Sequence, residues 1–261
     1  MFTSTERVAF YIGNYPVMKY GITMGAAIFA SFVCLLGFRK RFYPEISEDI
    51  LYDLSFWVIL FGIIGARAWY VLLDFPYFLS NPNEILMINH GGITIHGALI
   101  GGITAGFVFV KKNHLDFFKL ADLYAMVVPI GQAIGRWGNF FNSEAFGKPC
   151  DLPWKLYISP ENRPLEYYNY QYFHPTFLYE CIGNICIFCI LFFILKDKYE
   201  DKKGMIFFSY LFLYSLLRIG IEFIRTDSVL NIFGIPVAVW VCIVIALISL
   251  GCGWKIYFSK N

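Results

Sequence analysis

Apolar runs of 18–23 residues alternate with polar stretches along the whole chain, at 17–38, 51–73, 93–110, 119–141, 177–195, 205–224 and 233–254. A bilayer core of about 30 Å is crossed by roughly 20 apolar residues in a helix, so the pattern predicts about seven transmembrane helices. The first run starts late, lacks a basic leader and is too long for a cleavable signal, so it reads as a retained helix. The expected fold class is an all-α integral membrane protein, a single polytopic domain over 1–261.

Basic residues set the expected orientation, because short loops rich in Lys and Arg stay in the cytoplasm. Arg39, Lys40, Arg41, Lys111, Lys112, Lys119, Lys196, Lys198, Lys202, Lys203, Lys255 and Lys260 all fall on one side of such a bundle. Only Arg7, Lys19, Lys148, Lys155 and Arg163 fall on the other. The N-terminus is therefore expected outside and the C-terminus in the cytoplasm. Two outer connections, about 74–92 and 142–176, are rich in Pro, Asn and Tyr and are expected to lie on the interface as caps or short amphipathic helices. No internal repeat is visible, which argues against an inverted-repeat transporter.

Composition agrees with this pattern: 58% of positions are apolar, only 15% are charged, and the mean hydropathy is +0.57. A soluble domain carries roughly 25% charged residues. The net charge of +2 offers no basic stripe for nucleic acid. Seven cysteines imply no disulfide framework, since all but Cys150 sit in apolar runs, and the Cys186/Cys189 pair has no second pair to make a metal site.

An ionisable group inside a span costs about 2.5–3.5 kcal/mol, so each one present marks a functional hypothesis. Counted from the outer ends of the expected spans, Tyr20, His96, Arg136 and Arg218 lie within roughly 5–10 Å of the outer boundary, and His174, Tyr179 and Glu180 open the fifth span at that level. Snorkelling to the head groups accounts for any one of these residues. It accounts poorly for the set, because the inner halves hold few ionisable groups beyond Asp53 and Asp122.

Spacing adds detail. Arg218, Glu222 and Arg225 sit at i, i+4 and i+7, a stripe in which one carboxylate orients two guanidinium groups. Gly131, Gly135 and Gly138 on the fourth span, and Gly97, Gly101 and Ala105 on the third, predict close approach of those two helices, bringing His96 toward Arg136. A shallow cavity with several arginines suits the head group of an anionic lipid, since Arg binds phosphate with a fork of donors. A lipid or small-anion carrier is the rival reading, but it requires polar groups through the full depth. A non-catalytic assembly subunit would need no such constellation.

The stretch from Gly135 to Gly147, GRWGNFFNSEAFG, resembles the signature of bacterial prolipoprotein diacylglyceryl transferases. Tyr20-Gly21, Ile95-His96-Gly97, His174-Pro175-Thr176, Leu178-Tyr179-Glu180 and the segment from Arg218 to Arg225 follow in that family's order. Ala98 and Phe177 depart from it, standing where a second Gly and a Gln are usual.

The resemblance implies transfer of the diacylglyceryl group of phosphatidylglycerol to the lipobox cysteine of a preprolipoprotein. A thioether forms and glycerol 1-phosphate leaves. It implies no cofactor and no metal; a monomer in the bacterial plasma membrane, open to the outer leaflet, is expected. The nucleophile then belongs to the substrate peptide, so none of the chain's own cysteines is needed. Arg136 and Arg218 are assigned to the phosphate, where charge develops. His96 is the leading thiol base, with head-group binding as its alternative. Glu144 orients Arg136 or binds head-group hydroxyls, with a base role as the minority view. Asn139 and Tyr20 are expected to donate to lipid oxygens, Gly97 to line the lipid site, Gly147 to shape the outer loop, and Glu222 with Arg225 to position Arg218. His174 and Tyr179 support the site or gate the peptide, and Asn142 takes either role.

Overall fold

The computed structural model describes residues 1–3, 6–87, 91–199, 201–227 and 231–259; Lys260 and positions 88–90 of the first expected cap lie outside them. Seven of the described helices are long and apolar enough to cross a bilayer: α1 (Lys19–Phe42), α2 (Glu48–Leu73), α3 (Ile95–Lys112), α4 (Phe117–Asn142), α5 (Thr176–Lys198), α6 (Met205–Glu222) and α7 (Val237–Phe258). Each follows one predicted run to within four residues at either end. Large apolar side chains such as Ile64, Ile103, Leu247 and Trp254 face outward, as lipid tails permit. The chain divides into two compact units, Met1–Phe38 with Ala121–Asn261, and Arg39–Leu120.

In the unit that holds α1 and α4–α7, the helix ends are set by side chains from elsewhere in the chain. The buried Asp122 carboxylate accepts the amides of Gly204 (2.6 Å) and Phe207 (2.7 Å), capping the start of α6 from a different helix. Lys202 Nζ donates to the carbonyls of Tyr257 and Ser259 (both 3.0 Å) and so closes α7 at its negative end. These contacts give Asp122 a structural role. α7 begins four residues later than the predicted run, because Phe233 and Gly234 take positive φ and turn a hairpin between Asn231–Ile232 and Ile235–Pro236.

The connection before α5, expected to form a cap or short amphipathic helices, is a small sheet with short 3₁₀ turns. β1 (Phe2–Thr3) pairs in parallel with β4 (Leu156–Tyr157), which pairs antiparallel with β5 (Tyr172–Phe173). Leu156, Ile158 and Phe173 project inward with Phe140, Phe146 and Phe177 to form one apolar cluster. Burial of alternate residues on one sheet face is what a strand, and not a helix, achieves with this sequence. A further hairpin, β2 (Val8–Ile12) with β3 (Tyr15–Met18), leads into α1.

The Arg39–Leu120 unit is built on α2 packed against α3. Ser47 caps α2 by accepting from Ile50 N (3.3 Å), and Thr94 caps α3. Its connection between α2 and α3 carries a short helix, Phe75–Ser80, and a 3₁₀ turn at Pro82–Leu86. Arg67, buried in α2, donates to the carbonyls of Glu84, Ile85, Gly91 and Gly92, so its charge fastens that connection. Each glycine stripe has a close neighbour within its own unit. Gly97 and Gly101 lie against the backbone of Gly65 and Phe61 on α2, whereas Gly131 and Gly138 lie against Ser31 and the Tyr20 ring of α1. Small residues permit close approach but do not name the partner.

Candidate functional site

At one end of the first unit, the C-terminal ends of α4 and α6 meet the N-terminal end of α5. The helix dipoles favour cations at the first two and an anion at the third. Arg136 and Arg218 stand on α4 and α6, and Glu180 on the second turn of α5.

Glu180 is the centre of the cluster. Only 1% of its side chain is exposed, and its carboxylate lies 2.6 Å from Arg136 Nη2, 3.3 Å from Arg218 Nη1 and 3.8 Å from Arg225 Nη1. Arg218 Nη2 also donates to Glu222 Oε2 at 2.5 Å, the i, i+4 pair expected from the spacing. Arg225 does not share that helical stripe: α6 ends at Glu222, and Arg225 lies in the turn beyond it. There its fork grips Asp227, Nε to Oδ1 at 2.8 Å and Nη2 to Oδ2 at 2.6 Å. Burial acts to raise the Asp227 carboxyl, but the hydrogen bonds and charge of Arg225 outweigh it and hold the group below the usual carboxylate range.

A second chain of contacts runs from Arg136 to the outer loop. Arg136 Nη1 donates to Asn139 Oδ1 (3.2 Å), Asn139 Nδ2 donates to Glu144 Oε1 (2.8 Å), and Asn142 Nδ2 donates to Glu144 Oε2 (3.3 Å). Glu144 therefore orients Arg136 through an amide and stays exposed itself. It sits between Ser143 and Ala145, both with φ of 54°, a left-handed conformation that costs of order 1–3 kcal/mol per residue. Thr176 Oγ1 holds the strained turn by donating to Ala145 O. The Tyr20 ring packs on Gly138, one turn from Arg136 and within electrostatic reach of it and Glu144.

Gly147 stitches this loop to Arg225. Its amide donates to His174 O (3.0 Å), it bridges to Arg225, and Lys148 N donates to Ile224 O (2.8 Å). A Cβ on Gly147 would lie 2.7 Å from Ile224 Cγ2 and 2.8 Å from His174 Cβ. Gly147→Ala is therefore expected to lower stability by about 1–3 kcal/mol and to displace Arg225; a variant with an unchanged melting temperature would contradict this. Behind the loop, Trp154 Nε1 donates to Tyr179 Oη, and Tyr179 Oη and His174 Nδ1 share a hydrogen bond, both at 3.1 Å. Burial pushes the His174 imidazole below its ordinary range. Phe177, one of the two departures from the family pattern, fills the aromatic cluster 4.9 Å from Phe140 and 5.4 Å from Trp137.

His96 and Gly97 belong to the Arg39–Leu120 unit, on the first turn of α3, where the imidazole is exposed and Gly97 is buried against α2. Of the residues singled out by spacing and depth, the first unit holds Tyr20, Arg136, Arg218, Glu222 and Arg225, and of those the resemblance adds it holds Asn139, Asn142, Glu144 and Gly147. Glu180 carried no assigned role in the sequence, although the insertion cost of a carboxylate inside a span was signal enough to give it one. Asp227 lies outside any span and offered no such signal. Among the described residues no group of three or more His, Cys, Asp or Glu side chains is arranged to hold a metal ion.

Three arginine side chains, each 16–21% exposed, are matched by Glu180, Glu222 and Asp227. Such a fold and cluster define a polytopic membrane protein with arginines and carboxylates ion-paired at the ends of its spans. The chain belongs to the prolipoprotein diacylglyceryl transferase family, whose pattern matches residues 7–255. It is similar to phosphatidylglycerol–prolipoprotein diacylglyceryl transferases of Acaryochloris marina, 44% identical over 88% of this chain and 83% of the relative, and of Synechocystis sp., 42% identical over 100% and 93%. The similarity extends to Finegoldia magna, at 36% identity over 98% of both chains.

Proposed function

We infer that the chain transfers the diacylglyceryl group of phosphatidylglycerol to the thiol of a preprolipoprotein lipobox cysteine. The carrying observation is the convergence of Arg136, Arg218 and Arg225 on one buried carboxylate, with open guanidinium edges left over. The peptide thiolate attacks the glyceryl CH₂ and forms the C–S bond. The C–O bond to phosphate breaks, and glycerol 1-phosphate leaves with the electron pair. Arg136 and Arg218 receive the phosphate and neutralise the charge that grows on it, Glu180 and Glu222 hold their forks in place, and Glu144 keeps Arg136 turned through Asn139.

His96 takes the thiol proton in this reading, because a thiol is a weak nucleophile until it is deprotonated. In His96→Asn the acid limb of the rate–pH profile is expected to disappear, with a slowing of about 10²–10⁴-fold. An intact acid limb removes His96 as the base. The excess of basic residues on one side supports an external N-terminus; in this reading the site faces the outer leaflet of the bacterial plasma membrane and the protein acts as a monomer. The direct test is incubation of purified protein with labelled phosphatidylglycerol and a lipobox peptide. Transfer of label to the cysteine is expected; binding or movement of lipid without a thioether product overturns the reading.

A further inference from the structure

An apolar groove of about 460 Å³ opens on the first unit between α1, α4 and α5. Small side chains make the hollow, Cys34 on α1, Ala133 on α4 and Cys181 on α5, and their neighbours one or two helical turns away line its length. One end lies at Trp137 and Cys181, the residues that directly follow Arg136 and Glu180 in the chain. The other end lies at Phe38 and Phe188. From Cys181 to Phe188 the groove descends seven residues of helix, about 10 Å.

Packed rings stand at that remote end. Phe38 and Phe188 lie nearly parallel with centroids 6.2 Å apart, and Phe192 packs on both, at 4.9 Å from Phe38 and 5.5 Å from Phe188. Phe192 is carried by a π-helical turn, Ile190–Leu195, and such a turn re-aims a side chain relative to a regular helix. The groove thus begins one residue along the chain from Arg136 and Glu180 and runs to the ring cluster at its other end. A molecule that spans the two has a phosphate at one end and a hydrocarbon chain at the other.

We propose that the groove takes one acyl chain of the phospholipid whose phosphate meets Arg136, and that Phe38, Phe188 and Phe192 are the floor that sets the chain length accepted. This rests on the reading of the site as a phospholipid site, and it makes the three phenylalanines specificity-determining residues. Phe38 and Phe188 are only half-buried, so their truncation deepens the groove without hollowing the core.

The test measures the melting temperature of the purified protein with saturated phosphatidylglycerols of increasing chain length, a readout independent of turnover. Stabilisation by the wild-type protein is expected to rise with chain length and then level off. In Phe188→Ala and in Phe38→Ala the levelling point moves to longer chains, by about three to four carbons, the volume of the lost ring expressed in methylenes. In Cys34→Phe, which fills the groove, it moves to shorter chains. Identical profiles in all four proteins overturn the proposal, as does an unchanged lipid profile accompanied by an altered KM for the lipobox peptide, which assigns the groove to the peptide. Wild-type protein that shows the profile but transfers no label sinks the transferase reading and leaves the floor standing.

Discussion

Glu180→Gln is expected to abolish measurable transferase activity, a loss of at least about 100-fold, or roughly 2.7 kcal/mol of transition-state stabilisation. The reason is geometric. One buried carboxylate holds three guanidinium groups, at 2.6, 3.3 and 3.8 Å, and a neutral amide leaves them repelling one another in a site of low dielectric. Removing one partner of a buried ion pair costs about 3–5 kcal/mol, so a lower melting temperature accompanies the lost rate. A double-mutant cycle between Glu180→Gln and Arg136→Lys separates the two effects: coupling of about 0.5–3 kcal/mol is expected for groups in contact. Additive losses, or a Glu180→Gln protein with wild-type rate and stability, would remove Glu180 from the centre of the site.

Arg136 carries the second large expectation. It binds Glu180 with Nη2 and Asn139 with Nη1, two acceptors in different directions, and still keeps 21% of its side chain open to a ligand. Lysine preserves the charge but has no planar fork with which to serve three groups at once. Arg136→Lys should therefore lose at least about tenfold in kcat/KM, some 1.4 kcal/mol. Arg136→Ala should lose about 10²–10³-fold, as removal of a donor aimed at developing charge generally does. Equal rates for lysine and arginine would refute phosphate recognition by a fork.

These two residues differ in how far their roles could be read without the fold. Arg136 announced itself, since an arginine five residues from the end of an apolar span needs a reason. Glu180 met the same criterion, but its three partners come from α4, α6 and the turn after α6, and no local spacing encodes contacts between separate helices. Arg225 illustrates the converse: the i, i+7 spacing from Arg218 suggested a helical stripe, but the helix stops at Glu222, and the bridge to Gly147 sets the position of Arg225 instead. The glycine stripes needed the fold for a related reason. A small residue states that something approaches closely, and α2 and α1 turned out to be what approaches.

Hydrophobic run length by itself determined the seven spans to within four residues, because the bilayer thickness and the helical rise leave little freedom. The cost of burying charge determined which residues to suspect. Only the tertiary structure decided that the suspected charges form a neutralised network around Glu180, that Arg67 and Asp122 serve as fastenings, and that the connection before α5 is a sheet. Each of these outcomes depends on which helix ends meet, and long-range pairing leaves no periodic mark along a chain.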